Sequence, residues 1–88
     1  MSNADLLRAA FASIEVAADF GAATVTLTDG SLLEFCHRVS ERWARVPEGT
    51  GDEAAARQIL AAIQQFRLNA KHLDIFFQDG SRWEAGFR

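Results

Sequence analysis

The stretch Val25–Phe35 reads VTLTDGSLLEF, and Ile75–Arg88 reads IFFQDGSRWEAGFR. Both carry the same turn. Aligning Asp29–Arg38 (DGSLLEFCHR) with Asp79–Arg88 (DGSRWEAGFR) matches Asp, Gly and Ser, then Glu34 with Glu84 and Arg38 with Arg88. A β-prone run precedes each turn, Ala23–Leu27 and Leu73–Phe77. Two such runs around Asp-Gly form a hairpin.

The hydrophobic pattern selects the loop. A two-residue Asp-Gly loop would oppose Val25 to Glu34, setting apolar side chains against polar ones. A loop of Thr28-Asp29-Gly30 instead opposes Leu27 to Ser31, Val25 to Leu33 and Ala23 to Phe35. The second hairpin, looped through Gln78-Asp79-Gly80, then opposes Phe77 to Ser81, Ile75 to Trp83 and Leu73 to Ala85. Each hairpin gains one apolar face, as a period of two requires. Gly30 and Gly80 fall at the left-handed position of a type I turn with a bulge.

Upstream, Leu7, Phe11, Ile14 and Ala18 repeat at i, i+4, i+7 and i+11, and so do Ile59, Ile63, Phe66 and Ala70. That spacing predicts one apolar helix face in each case. The first helix is expected to start near Ser2 or Asn3 and to stop at Gly21 as a left-handed cap. The second is expected to start at Thr50 or Asp52, where Thr50-Gly51-Asp52-Glu53 has capping-box spacing, and to end near Asn69–Lys71. The expected fold is therefore α+β, a two-layer sandwich in the order α-β-β-α-β-β. It holds two duplicated helix–hairpin units, one four-stranded antiparallel sheet and both helices on one face. One domain covers 1–88, with pseudo-repeats at 3–38 and 52–88 and a linker at 39–51. Relative to the turns, the helices are offset by two residues, so the repeat is gapped.

The linker, with VSERWARVPEG over Val39–Gly49, is the basic part of the chain. Its apolar spacing suits a continued strand or a short helix. Trp43 with Arg42 and Arg45 is the candidate ligand or nucleotide site, through stacking and cation contacts. The simpler reading is a tryptophan capping the core among solvated arginines.

Composition narrows the classes. The net charge is −3, which disfavours binding to a phosphate backbone. Among 88 residues many apolar ones are alanine, so the large-side-chain core is modest and self-association is favoured. The single cysteine, Cys36, fits a reducing cytosol and excludes an internal disulfide. No signal peptide or membrane segment is expected; a spanning helix needs roughly 18 apolar residues.

Catalytic signals are weak. Cys36 and His37 are neighbours on a strand and point to opposite faces, so they are not expected to meet as nucleophile and base. Parity places Cys36 on the outer face and His37 on the apolar one. Ser31 and Ser81 lack a nucleophile-elbow context. A metal site would need His37, His72, Cys36 and carboxylates to converge, and their spacing matches no zinc pattern; no cofactor motif occurs. Glu34 and Glu84 form the one candidate catalytic pair, as carboxylates at matched positions. The preferred reading is a cytoplasmic, non-enzymatic interaction or regulatory module without cofactor or metal. It binds a protein partner, including a second copy in a homodimer, through the helix-free sheet face or an edge. Leu32, Phe76, Arg82, Glu84 and Arg38 are the expected contacts.

Overall fold

The computed structural model describes residues 1–49 and 51–87. The expected capping box includes Thr50, and the matched turn sequences end on Arg38 and Arg88; Thr50 and Arg88 lie outside the described residues.

The elements are α1 (Asn3–Ala10), β1 (Phe11–Val16), β2 (Ala22–Leu27), β3 (Leu32–His37), β4 (Arg42–Arg45), α2 (Ala54–Ala62), β5 (Ile63–Leu68), β6 (His72–Phe77) and β7 (Arg82–Gly86). They build two antiparallel sheets, ordered β1-β2-β3-β4 and β5-β6-β7. This corrects the expected single four-stranded sheet with both helices on one face. The order is α-β-β-β-β followed by α-β-β-β.

The difference arises where long helices were expected. Each helix stops after about two turns because its end carbonyl is captured by the next hairpin. Thr28 N–H donates to Ala10 O (2.7 Å), and Gln78 N–H donates to Ala62 O (2.9 Å). The chain then extends, with Phe11 at ψ 131° and Ile63 at ψ 128°. Each new strand carries a bulge in its first residues. Phe11 faces Leu27 and Ser13 faces Thr26, so Ala12 is the extra residue; Gln64 is extra in β5, between Ile63 opposite Phe77 and Gln65 opposite Phe76. A bulge turns the strand period of two into a local step of three. Phe11 to Ile14 and Ile63 to Phe66 therefore imitate helical spacing while lining one strand face.

The two-residue offset lies in the first loop of each unit, which runs over 17–21 before β2 but only over 69–71 before β6. Gly21, expected as a helix cap, sits in the first of these loops. The positive φ falls on Phe20 (58°) instead, and a Cβ on Gly21 would lie 2.8 Å from Arg38 Nε. Asn69, expected near a helix end, closes the second loop, its Oδ1 accepting from Lys71 N–H (2.8 Å) and His72 N–H (3.1 Å).

The hairpins themselves have the expected register. Val25 faces Leu33 and Ala23 faces Phe35; Ile75 faces Trp83 and Leu73 faces Ala85. Gly30 and Gly80 both have φ 87°, which a side chain resists. Asp29 Oδ1 accepts from Ser31 N–H, and Asp79 Oδ1 from Ser81 N–H, each at 2.9 Å.

Each Asp-Gly-Ser turn meets the helix start of the other unit. Asp79 Oδ2 accepts from Asn3 N–H (2.8 Å), and Ser81 Oγ accepts from Ala4 N–H (3.1 Å). With Ser2 Oγ accepting from Asp5 N–H (3.1 Å), the first amides of α1 all have partners. Ahead of α2, Gly51 lies so close to the first turn that a Cβ there would sit 2.4 Å from Ser31 N. Helix α2 starts later than expected, after Glu53 at φ 65° with no side-chain cap.

One core joins both sheets and both helices. Leu7 and Ile59 are fully buried, as are Val25, Leu33, Leu73 and Ile75, with Phe35 and Phe77 at 1% exposure. Burying each large aliphatic side chain contributes about 1.5–3 kcal/mol. The sheets touch through Phe35 and Phe66, edge to face at 5.2 Å, and Phe11 of β1 packs on Trp83 of β7 at 5.3 Å. Residues read as linker supply β4, which zips onto β3 with Trp43 opposite Cys36 and Arg45 opposite Glu34. Among the described residues, no helix is long and apolar enough to cross a membrane.

Candidate interaction site

Apolar side chains of β5, β6 and β7 point into the core, so the alternate residues form the outer face of the three-stranded sheet. His72, Asp74 and Phe76 alternate along β6. Arg82 and Glu84 face Phe76 and Asp74 from β7, while Gln65 and Arg67 face them from β5. Phe76 is half-buried beneath two guanidinium groups, Arg67 and Arg82, each 5.7 Å from its ring centroid. Arginine above an aromatic face is held by the ring quadrupole, which fixes the charge over an apolar patch.

Arg82 also orders the acidic groups. Its Nη2 donates to Asp74 Oδ1 (3.0 Å) and to Glu84 Oε2 (3.1 Å). His72 Nε2 lies 3.0 Å from Asp74 Oδ2 and 3.9 Å from Glu84 Oε2. Asp74 is only 4% exposed. Burial opposes its charge more than any single neighbour favours it, yet Arg82, Glu84 and His72 together hold its carboxyl below the usual aspartate range.

Among the described residues, His72, Asp74 and Glu84 form the group that could hold a metal ion, their ligand atoms lying within 4.8 Å of one another. A cation there would have to displace Arg82, which already bridges both carboxylates. The sequence reading missed this cluster by grouping His72 with His37 and Cys36. The signal was available: His72 and Asp74 are two apart on one strand, and the hairpin register sets Glu84 opposite Asp74.

The expected contact residues do not form one patch. Phe76, Arg82 and Glu84 share the outer face just described. Leu32, half-buried opposite Thr26, belongs to the four-stranded sheet, and Arg38 follows β3 in the turn toward β4. Arg38 crosses Gly21 to reach Asp19, its Nε 3.1 Å from Oδ2. Glu34 and Glu84 are on different sheets. Glu34 Oε1 accepts from Arg45 Nε at 2.8 Å, and Glu84 is bound by Arg82.

The linker residues also separate. Trp43 lies on the outer side of β4, with Arg45 stacked over its ring at 4.3 Å and its Nε1–H donating to Glu41 Oε1 (2.9 Å). Arg42 turns the other way. It donates to Phe66 O, lies over the Phe66 ring, and lines an open cavity of about 410 Å³ with Ala44, Leu60, Ile63, Gln64 and Gln65. Beneath the Trp43 side, Cys36 is fully buried rather than outward-facing in solvent, and His37 is exposed. Burial and the Glu41 carboxylate, 3.3 Å from Sγ, push the Cys36 thiol up, which opposes nucleophilic use. The turn between β3 and β4 folds back over that end of the sheet, which alternation along β3 alone could not reveal.

No protein-family model matches the chain, and comparison with curated proteins and with solved structures gives no match.

Proposed function

We propose that this protein is a non-enzymatic interaction or regulatory module that works in a reducing cytoplasm. It binds a protein partner, including itself, through the outer face or edge of the three-stranded sheet, and its two turn-matched halves descend from an internal duplication. The observation that carries the reading is Phe76, half-buried on the central strand of that face beside the hairpin turn and flanked by Arg67 and Arg82. An aromatic anchor beside arginines is the composition of a binding hot spot. The network of Asp74, Glu84, Arg82 and His72 adds a rim of both charge signs. Support for a cytoplasmic setting is the single thiol, free and buried.

The other readings have less behind them. A ligand site at Trp43 would compete with Arg45, which already stacks there, and Arg42 is engaged elsewhere. A carboxylate mechanism would need Glu34 and Glu84 together, and each is paired with its own arginine on a separate sheet.

The test places a photoreactive benzoylphenylalanine at position 76 or, as a control, at exposed Ala61 on α2. Discrete cross-linked adducts at 76 alone are expected after irradiation in cells. A protein that folds but gives none at 76, or the same adducts at both positions, overturns the reading.

A further inference from the structure

Glu34 and Glu84 hold matching places in their hairpins, Glu34 opposite Thr24 and Glu84 opposite Asp74. Beyond Glu34 there is another strand: β4 sets Arg45 directly opposite, in an ion pair of 2.8 Å. Beyond Glu84, no strand among the described residues follows, because β7 ends its sheet. We infer that the free edge of β7 pairs antiparallel with β7 of a second copy, about a twofold axis at Trp83. This inference rests on the interaction-module reading and names its occupant.

The backbone permits the pairing. Phe77 N–H donates to Ser81 O (2.9 Å), and antiparallel ladders alternate. Trp83 and Ala85 therefore direct their peptide groups to β6, and Arg82, Glu84 and Gly86 direct theirs outward. With Trp83 opposite its own copy, Arg82 of each chain faces Glu84 of the other. The interface gains two cross-strand pairs of opposite charge, each repeating the Glu34–Arg45 pair within the chain. The registers two residues to either side put Glu84 opposite Glu84 or Arg82 opposite Arg82, so charge selects the central one. The neighbouring helix does not prevent it: α1 packs beside β7 as α2 packs beside β3, and β3 accepts β4. Both side chains reach solvent, Arg82 at 52% and Glu84 at 49% exposure, and their mutual contact of 3.1 Å is exchanged for two such contacts between the copies. A ladder this short buries little area, which predicts a weak dimer.

The experiment is sedimentation equilibrium of the full chain from about 10 µM to about 1 mM, a range suited to a small interface. Wild type is expected to shift toward twice its monomer mass of 9.7 kDa. Glu84→Arg and Arg82→Glu should each weaken dimerisation at least about tenfold. Mixed in equal amounts, the two variants should associate, because their unlike edges complement each other. If Arg82→Glu fails to fold, Glu84→Pro replaces it; proline removes an outward N–H at an edge position that tolerates it, and should abolish the dimer. Wild type that stays monomeric throughout, or a dimer indifferent to these variants, overturns the inference. A monomer that still gives adducts at position 76 would sink only the self-pairing and leave the interaction reading standing.

Discussion

Asp79 Oδ2 accepts the Asn3 amide at 2.8 Å, so a turn near the end of the chain caps the first residue of its first helix. Ser81 continues the cap onto Ala4. Neither α1 nor the last hairpin is complete alone, and the same turn sequence at Asp29–Ser31 receives Gly51 ahead of α2. The recurrence of Asp-Gly-Ser thus has a structural role beyond making hairpins, because each turn is also a seat for the other helix.

Ser81→Ala removes the acceptor for Ala4 N–H while keeping the turn glycine. Loss of such a cap costs about 0.5–2 kcal/mol. Urea unfolding should show a lower midpoint with an unchanged slope. A midpoint equal to wild type would mean that the contact between the two units adds nothing to stability.

Gly51→Ala tests the opposite seat. Gly51 has φ 55°, and an added Cβ would reach 2.4 Å from Ser31 N and 2.6 Å from Asp29 O, both backbone atoms with little room to yield. Strain of this kind costs of order 1–3 kcal/mol. The expected result is a clear fall in Tm, larger than for alanine at exposed Gly49, whose added Cβ meets no atom within 4 Å. Equal falls would show that closeness to the first turn is not what requires glycine at 51.

Leu7 and Ile59 anchor helices of only 8 and 9 residues, too short to persist without packing. Leu7→Ala and Ile59→Ala should each cost about 2–5 kcal/mol, since both side chains are fully buried. Denaturant titration by far-ultraviolet circular dichroism reads both. A cost below about 1 kcal/mol at either site would place that helix outside the cooperative core.

These short helices mark where the sequence was legible and where it was not. The hairpin registers followed from parity, because Val25, Leu33, Ile75 and Trp83 must share a buried side and only a loop such as Thr28-Asp29-Gly30 allows it. The strands β1 and β5 were hidden by Ala12 and Gln64: one inserted residue gives Phe11–Ile14 and Ile63–Phe66 a helical step. Val16 and Leu68, which do not belong to the helical stripe, were the contrary signal. The division into two sheets depends on contacts such as Phe35 on Phe66 between distant strands, which no local pattern encodes. For the candidate site, parity put Phe76, Arg82 and Glu84 on an outer face. It could not show that Leu32 belongs to another sheet or that Arg38 lies in the turn after β3.

Cys36 gives a prediction about reactivity. Its thiol is buried, donates toward Glu41, and is pushed up in pKa by burial first and by that carboxylate second. Alkylation at neutral pH should be far slower than for an unfolded control and should accelerate as denaturant opens the turn between β3 and β4. Removing the cover with Trp43→Ala should raise the native rate. A native rate matching the unfolded one would contradict the burial.

Acid stability should depend on Asp74. Its carboxyl is nearly inaccessible, and although burial works against its charge, Arg82, Glu84 and His72 together lower its pKa. A folded-state pKa below the unfolded value of about 3.9 means the native state holds fewer protons in that range. The stabilisation is therefore fully present above the unfolded value and disappears as pH falls through the lower, folded one. Asp5, Asp19, Asp29 and Asp79 are lowered as well, by helix-cap, arginine and turn hydrogen bonds, and add to the same slope. Asp74→Asn keeps the size of the side chain and removes one titrating group. It should be less stable than wild type at neutral pH, and the difference should shrink as pH is lowered from about 5 to about 2. Unfolding curves at steps of pH measure this directly. A difference that stays constant, or widens in acid, would show that the bond from Arg82 does not favour the ionised Asp74 in the folded protein.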